Sequence, residues 1–92
     1  MTSVDSTGRF RARIRKMGLD RAEVFAAMQL CAATWGLPHL HSGRGIRRLG
    51  PRLYECRMGR EVRLVFSPRG AVLVFDFAGG HDDVQDYLRN AK

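Results

Sequence analysis

The spacing of apolar residues changes partway along this chain, from a period of 3.6 residues to a period of 2. In the first half, apolar side chains such as Phe10 and Ile14 recur on one face of a helix. Beyond residue 52 they alternate, so that Tyr54 and Cys56 point to the same side of a strand. A chain of 92 residues can build only one core. We therefore expect 1–92 to form a single α+β domain with helices on one sheet.

Two helices are expected before residue 36. Ser6 and Thr7 offer an N-cap for the first, and Gly18 offers a C-terminal stop. Asp20 begins the second with a capping-box pattern, and Gly36 ends it. Because the connection between the helices is very short, we expect a helical hairpin.

The second half predicts an antiparallel meander. The expected strands are Leu53–Met58, Glu61–Phe66 and Ala71–Phe77, with turns at residues 59–60 and 67–70. Residues 1–5 can form an edge strand or a frayed end, and Ile46 with Leu49 can anchor the loop or form a short strand. A short C-terminal helix follows Gly80. The expected fold is thus a two-layer α+β domain: a helical hairpin on an antiparallel sheet of three to four strands.

The charge balance favours an anionic partner. Sixteen Lys and Arg residues oppose nine Asp and Glu residues, which gives a net charge of +7. Such a field attracts nucleic acid or an acidic protein. The exposed candidates for binding nucleic acid are arginines in the glycine-rich loop region and in one turn, namely Arg44, Arg47, Arg48 and Arg60.

Other classes of protein are disfavoured. No apolar run approaches the roughly 20 residues that span a bilayer, and the N-terminus has no apolar signal core, so we expect a cytoplasmic protein. Cys31 and Cys56 lie on apolar faces and are expected to be reduced packing residues. His39 and His41 lack a carboxylate or cysteine that would complete a metal site with His81, so we expect no metal and no cofactor.

Five polar residues can converge at one edge of the sheet. Glu55 and Arg57 are two apart on one strand, so they share a face, and Arg63 can face them from the next strand. His81 follows the last strand, and Tyr87 lies six residues later. This set suits attack of an RNA 2′-OH on its own phosphodiester.

Each role has an alternative. Glu55 or His81 could be the general base, and Arg57 and Arg63 could stabilise the charge of the phosphorane. His81 or Tyr87 could be the general acid or could stack on a nucleobase. Equally, Glu55 and Arg57 could form a solvated strand face with Arg63 opposite. His81 could be only a helix cap, and Tyr87 a core residue.

Four segments, taken in their order along the chain, resemble the RelE/ParE toxin superfamily. A basic R-x-L segment leads into a strand with E-x-R, followed by a strand with an arginine before two apolar residues and an aromatic one. The matching stretches are Gly45–Leu49, Leu53–Gly59, Val62–Phe66 and Gly80–Val84. The resemblance implies a bacterial type II toxin. RelE-like members cleave mRNA in the ribosomal A site without metal, ParE-like members inhibit DNA gyrase, and an acidic antitoxin neutralises both.

The resemblance also suggests roles for residues. Arg63 matches the arginine of the second meander strand in RelE-like enzymes, and Arg57 falls near the basic residues of the preceding strand. His81 and Tyr87 fall where that family places a basic residue and a C-terminal tyrosine. The best-known RelE-type site has two lysines on the strand that here carries Glu55 and Arg57, and this chain lacks that pair. Other ribosome-dependent relatives use Glu and His instead, and this sequence resembles those more closely.

The resulting expectation is a ribosome-dependent mRNA endoribonuclease whose partners are an acidic antitoxin, the ribosome and mRNA. The alternative is a ParE-like gyrase poison, or an inactive relative of the same fold.

Overall fold

The chain forms three helices and five strands in a computed structural model that describes residues 2–37 and 45–90. In chain order the elements are β1 Ser3–Ser6, α1 Gly8–Met17, α2 Arg21–Thr34, β2 Arg47–Gly50, β3 Leu53–Met58, β4 Val62–Arg69, β5 Val72–Gly79 and α3 His81–Asn90. The strand order in the sheet is β1-β5-β4-β3-β2. No helix within these described ranges is long and apolar enough to cross a membrane.

The α+β class is confirmed, but the sheet has five strands and is mixed. The expectation of three to four antiparallel strands was wrong because both edge strands are short and carry little apolar alternation. β1 pairs in parallel with β5, whereas the other pairs are antiparallel. β2 consists of Arg47, Arg48, Leu49 and Gly50, so pairing with β3, rather than an apolar face, defines it.

The expected turn at residues 67–70 was also wrong for its first three positions. β4 continues through Pro68, whose strand partner is Leu73. A proline cannot donate to a sheet ladder, and it is tolerated where one side of its strand is unpaired. β3 pairs with β4 only from Val62 to Phe66, so Pro68 lies beyond the reach of β3.

The helix boundaries follow the capping residues in the sequence. The Thr7 side chain accepts a hydrogen bond from the Phe10 N–H at 3.2 Å, and the Asp20 side chain accepts one from the Ala22 N–H at 2.8 Å. Gly18 ends α1 in the left-handed conformation, with φ of 66°. The helical hairpin is therefore present, with α1 against β5 and α2 against β1 and β3.

The main core lies between the helices and one face of the sheet. Its aromatic centre is Phe66, which packs 5.0 Å from Phe75, and Phe10 of α1 lies 5.8 Å from Phe75. Cys31 and Cys56 are free and buried in this core, as expected. A hydrogen bond with Cys31, reinforced by burial, raises the pKa of the Cys56 thiol, which keeps it protonated and unreactive.

The opposite face of β4 is also covered. Val65 is fully buried outside the main core, and its strand partner is Phe77 of β5. α3 packs against β5 and β4 and contributes the buried Val84. Buried on both faces, β4 is the centre of the domain, and the polar residues of β3 lie beside it.

Substituting Gly18 tests the hairpin. Gly18→Ala should lower the free energy of unfolding by about 1–2 kcal/mol, because alanine disfavours the left-handed conformation, although no atom lies within 4 Å of the added methyl. Chemical denaturation would measure the change. Gly8→Ala is the matched control, since Gly8 begins α1 and its added methyl meets only the Arg11 side chain at 3.9 Å. Equal stability of the two variants would contradict the role of Gly18.

Candidate functional site

A buried carboxylate defines the site on the sheet face opposite the helical hairpin. Glu55 is only 3% exposed, although it lies on β3 next to the edge strand. Its Oε2 atom lies 3.5 Å from Nε of Arg63 and 3.6 Å from Nε of Arg47. β3 lies between β2 and β4, so the two guanidiniums approach the carboxylate from neighbouring strands. We call Glu55, Arg47, Arg57 and Arg63 the Glu55 cluster.

The polar atoms of this cluster are incompletely satisfied. Glu55 Oε1 and Arg63 Nε are buried without a hydrogen-bond partner among the described residues. Buried polar atoms in folded proteins are nearly always paired, because leaving one unpaired costs about 1–3 kcal/mol. The pairing of Glu55 with Arg63 is thus electrostatic and not a well-formed hydrogen bond. Oε1 is thus a buried acceptor that no donor among the described residues occupies.

Arg57 adds a second positive charge beside Arg63. The two residues are direct cross-strand partners, and like charges in that position are unfavourable unless an anion lies between or above them. Arg57 is exposed, and no ion pair links it to another described residue. Its stem passes close to Gly45, where an added Cβ would lie 3.2 Å from Cγ of Arg57. Gly45 also has φ of 72°, so glycine is required there on two counts, which the sequence did not reveal.

His81 directly follows β5 and lies two strands away from Glu55 across the sheet. It is the first residue of α3, and Gly79, two residues earlier, is the strand partner of Arg63. The Gly80 N–H donates to Asp83 Oδ2 at 3.1 Å, so Asp83 provides the capping interaction at this helix start. The exposed imidazole of His81 has no hydrogen bond to another described residue.

Tyr87 lies on the same side of the sheet but is held away from Glu55. Its ring stacks on Phe77 with centroids 4.6 Å apart, and its hydroxyl donates to Asp76 Oδ2 at 2.7 Å. Val65 lies between Phe77 and Glu55 in the strand register, so two strand spacings, or about 10 Å, separate them. The structure therefore brings Glu55, Arg57 and Arg63 together, but it places the Tyr87 hydroxyl on a different partner.

Asp76 was missed by sequence reasoning. It is the extra residue of a bulge, because Val65 pairs with Phe77 while Phe66 pairs with Phe75. Its carboxylate also accepts a hydrogen bond from the Thr7 hydroxyl at 2.8 Å and lies 3.5 Å from Arg9. Burial, followed by the hydrogen bond with Asp76, raises the pKa of Tyr87 to about 12. The hydrogen bond to Asp76 and the stacking on Phe77 hold Tyr87, and with it α3, against the sheet.

The four arginines expected to bind nucleic acid separate in the structure. Arg47 belongs to the Glu55 cluster, whereas Arg48 points to the opposite face and donates to the Gly50 carbonyl at 2.9 Å. Arg60 is exposed in the turn between β3 and β4. Arg44 lies outside the described residues, as do His39 and His41. No group of three or more His, Cys, Asp or Glu side chains in the described part of the chain could hold a metal ion.

The fold is that of the RelE-like toxins. The chain superposes on YafQ from Escherichia coli with a TM-score of 0.64, at 15% identity over 91% of this chain and 98% of that one. For a copper-bound mutant toxin from Helicobacter pylori the TM-score is 0.69, at 17% identity over 91% and 99%. For the E. coli DinJ–YafQ toxin–antitoxin complex it is 0.63, at 16% identity over 90% and 96%. No family model and no curated protein matches the chain. At these identities the likeness establishes the fold.

Removing Arg63 should destabilise the protein through Glu55. Arg63→Ala leaves a buried carboxylate without its inner cation and should cost about 3–5 kcal/mol of unfolding free energy. Adding Glu55→Gln should recover most of that loss, because the uncharged amide tolerates burial. Arg47→Ala should cost less than about 1 kcal/mol, since its side chain is 62% exposed. Denaturation of the wild type, Arg63→Ala, Glu55→Gln and the double variant would measure this cycle, with Arg47→Ala measured beside them. Strict additivity of the two single substitutions would show that the charges of Glu55 and Arg63 are not coupled.

The Tyr87 hydroxyl should titrate differently without Asp76. Asp76→Asn should lower the pKa of Tyr87 from about 12 toward the ordinary 10, because the carboxylate disfavours tyrosinate. Because the pKa of Tyr87 is higher in the folded protein than in the unfolded chain, the neutral hydroxyl stabilises the folded state below pH 10. That contribution to the free energy of unfolding is lost as the pH rises toward 12. NMR titration of the Tyr87 ring would test this. Asp86→Asn is the control, because Asp86 pairs with Arg89; an equal shift in both variants would refute the assignment.

Proposed function

We propose that this chain is the toxin of a type II toxin–antitoxin system and a ribosome-dependent mRNA endoribonuclease. The observation that supports this most directly is the buried Glu55 carboxylate, which lies beside Arg47, Arg57 and Arg63 and has one oxygen without a partner among the described residues. The RelE-like fold and the resemblance of the strand segments support the same class. A DinJ–YafQ complex among the structural neighbours supports an antitoxin as partner.

The arginines are suited to bind the scissile phosphate. Arg57 is exposed and has no ion-pair partner among the described residues, and Arg47 is 62% exposed on an edge strand. Both guanidiniums can turn toward a phosphodiester, whereas Arg63, at 17% exposure, stays beside Glu55. Bidentate guanidinium contacts stabilise the extra charge of the phosphorane, which is usually the largest catalytic contribution.

Movement of Arg47 toward the phosphate uncovers Glu55. The free Oε1 atom then accepts the proton of the 2′-OH, and the 2′-oxygen attacks phosphorus to form the phosphorane. The bond from phosphorus to the 5′-oxygen breaks as His81 donates a proton to that oxygen. The products are a 2′,3′-cyclic phosphate and a 5′-hydroxyl. The proton balance is closed, because the base gains one proton and the acid loses one.

Tyr87 has a positioning role in this scheme. It stacks on Phe77 and donates to Asp76, which fixes α3 against the sheet. His81 begins the same helix, so the anchored helix fixes the position of the imidazole. The proposed setting is a single cytoplasmic domain. Its field of +7 steers it toward ribosomal RNA and mRNA.

Arg57→Ala tests the proposed phosphate contact without disturbing the core. Cleavage of ribosome-bound mRNA, mapped by toe-printing, should fall roughly 100-fold or more, because one guanidinium that stabilises the transition state is removed. Stability should be retained or rise slightly, since Arg57 is exposed and opposes the like charge of Arg63 across the strands. Arg52→Ala is the matched control, because Arg52 is an exposed arginine in the turn before the same strand.

Two outcomes would reject the proposal at different levels. A wild-type rate for Arg57→Ala would remove Arg57 from the site but leave the nuclease. Intact mRNA in the presence of the wild-type protein would reject the nuclease itself, and inhibition of DNA supercoiling by gyrase would then support the ParE-like alternative.

A further inference from the structure

A single residue connects the sheet to the helix that carries His81. β5 ends at Gly79 and α3 begins at His81, so only Gly80 separates the two elements. Neither glycine has a side chain, and the connection therefore makes no side-chain contact that would fix the direction of α3. The position of the imidazole consequently depends on contacts that the first turn of α3 receives from other parts of the fold.

Arg13 of α1 contacts both sides of this connection. Its Nε atom donates to the Ala78 carbonyl at 2.8 Å, and its Nη2 atom lies 3.5 Å from Oδ2 of Asp83 in the first turn of α3. The guanidinium also lies over the Phe77 ring, 4.7 Å from the centroid. Because the side chain is only 21% exposed, water competes weakly for these partners. Arg13 thus links α1, the end of β5 and the start of α3.

Arg13 reaches α3 around an edge of the sheet that β1 leaves open. β1 pairs with β5 only from Val72 to Phe75, so it does not extend to Ala78. A buried backbone carbonyl requires a donor, and Arg13 supplies one to Ala78 where a neighbouring strand would otherwise do so. The guanidinium is therefore held by the backbone of β5, which is a more rigid reference than another exposed side chain.

Asp83 transmits this restraint to the start of α3. The same Oδ2 atom that faces Arg13 accepts a hydrogen bond from the Gly80 N–H at 3.1 Å. The packing around it is close, because a Cβ added at Gly79 would lie 2.6 Å from Cβ of Asp83 and 3.1 Å from Nη2 of Arg13. The absence of a side chain at position 79 is what allows Asp83 and Arg13 to meet over the end of β5.

The anchor at Tyr87 restrains a later part of α3. Tyr87 lies six residues after His81, which corresponds to about 9 Å along a helix. A helix held only at that distance can still tilt at its N-terminal end, so a second contact is needed to fix the first turn. The contacts of Arg13 act at the end of α3 that carries His81, and they therefore restrain the imidazole more directly.

We propose that Arg13 is a positioning residue for His81. Through Asp83 and the Ala78 carbonyl, it holds the first turn of α3 where the imidazole reaches the 5′-oxygen of the scissile linkage. The inference rests on the proposed function, and it adds a residue of the helical hairpin to a site formed by the sheet. A general acid must lie within about 2.6–3.2 Å of the atom it protonates, and a misplacement of about 1 Å can lower the rate roughly 100-fold.

A substrate with a better leaving group distinguishes positioning of the acid from a general structural role. The test uses an mRNA in which sulfur replaces the 5′-bridging oxygen at the site mapped by toe-printing. When the 2′-oxygen attacks phosphorus there, the P–S bond breaks and the thiolate leaves without a proton, because a thiol is much more acidic than a hydroxyl. A defect in the general acid should therefore slow cleavage of the normal linkage and largely spare the sulfur linkage. A general loss of structure should slow both.

Arg13→Ala should slow single-turnover cleavage of the normal linkage roughly 10- to 100-fold and that of the sulfur linkage less than about threefold. His81→Ala should show the same selectivity, whereas Arg57→Ala should slow both reactions, because its charge stabilises the phosphorane in either case. Arg15→Ala is the matched control. It removes the same charge from an exposed position of α1 that forms no ion pair with another described residue, so both rates should be retained.

Asp83→Ala tests the same link in a variant that keeps Arg13 and its contact with β5. Asp83 is 54% exposed, so this variant should fold, and it should reproduce the selective loss on the normal linkage. Asp82→Ala is its control, because it removes the same charge from the neighbouring position in the first turn of α3. A general electrostatic effect on His81 would be similar in the two variants.

NMR relaxation tests the positioning without any cleavage of mRNA. The amide order parameters of Gly80 and His81 should fall from about 0.85 toward 0.6 in Arg13→Ala, and they should not change in Arg15→Ala.

Four results would overturn the inference. These are equal rates for Arg13→Ala and Arg15→Ala, an equal loss on both linkages in Arg13→Ala, equal effects of the two aspartate variants, and unchanged order parameters. Failure of the sulfur linkage to rescue His81→Ala would remove His81 as the acid, and the inference with it. Intact normal mRNA with the wild-type protein would instead reject the proposed nuclease, and the order parameters would still show whether Arg13 holds the first turn of α3.

Discussion

The burial of one negative charge constrains both the site and an edge of the sheet. Glu55 is 3% exposed, and a carboxylate at that depth is costly unless cations accompany it. Arg63 on β4 and Arg47 on β2 supply them from the two flanking strands. β2 has little apolar content of its own, so the ion pair adds to the backbone pairing that keeps this short strand at the edge. The same interaction sets the positions of Arg47 and Arg63 around the carboxylate.

Local chemistry made much of the fold predictable. Thr7, Asp20 and Gly18 set helix ends through short-range hydrogen bonds and backbone conformation, which depend on neighbouring residues alone. The edge strands could be predicted only as alternatives to a frayed end and a loop, because the pairing of β1 with β5 and of β2 with β3 defines them, not an apolar alternation of their own. The extension of β4 through Pro68 was missed because tolerance of a proline depends on where the neighbouring strand ends.

The candidate site shows the same division. The i, i+2 spacing of Glu55 and Arg57 put them on one face, and the meander put Arg63 opposite, as expected. The burial of Glu55 between Arg63 and Arg47 was not predictable. It depends on which side chains of the neighbouring strands cover this face of the sheet, and the spacing within β3 does not show that. The anchoring of Tyr87 by Asp76 depends on a bulge in β5, and no alternation in the sequence reveals which residue a bulge inserts.

A two-layer domain has two faces, and the excess of positive charge is divided between them. Arg11 and Arg15 of α1 lie on the helical side, and Arg47, Arg57 and Arg63 belong to the sheet side. Arg9 and Arg13 of α1 instead pair with Asp76 and Asp83. An anion bound by the sheet side therefore leaves the basic residues on the helical side uncovered.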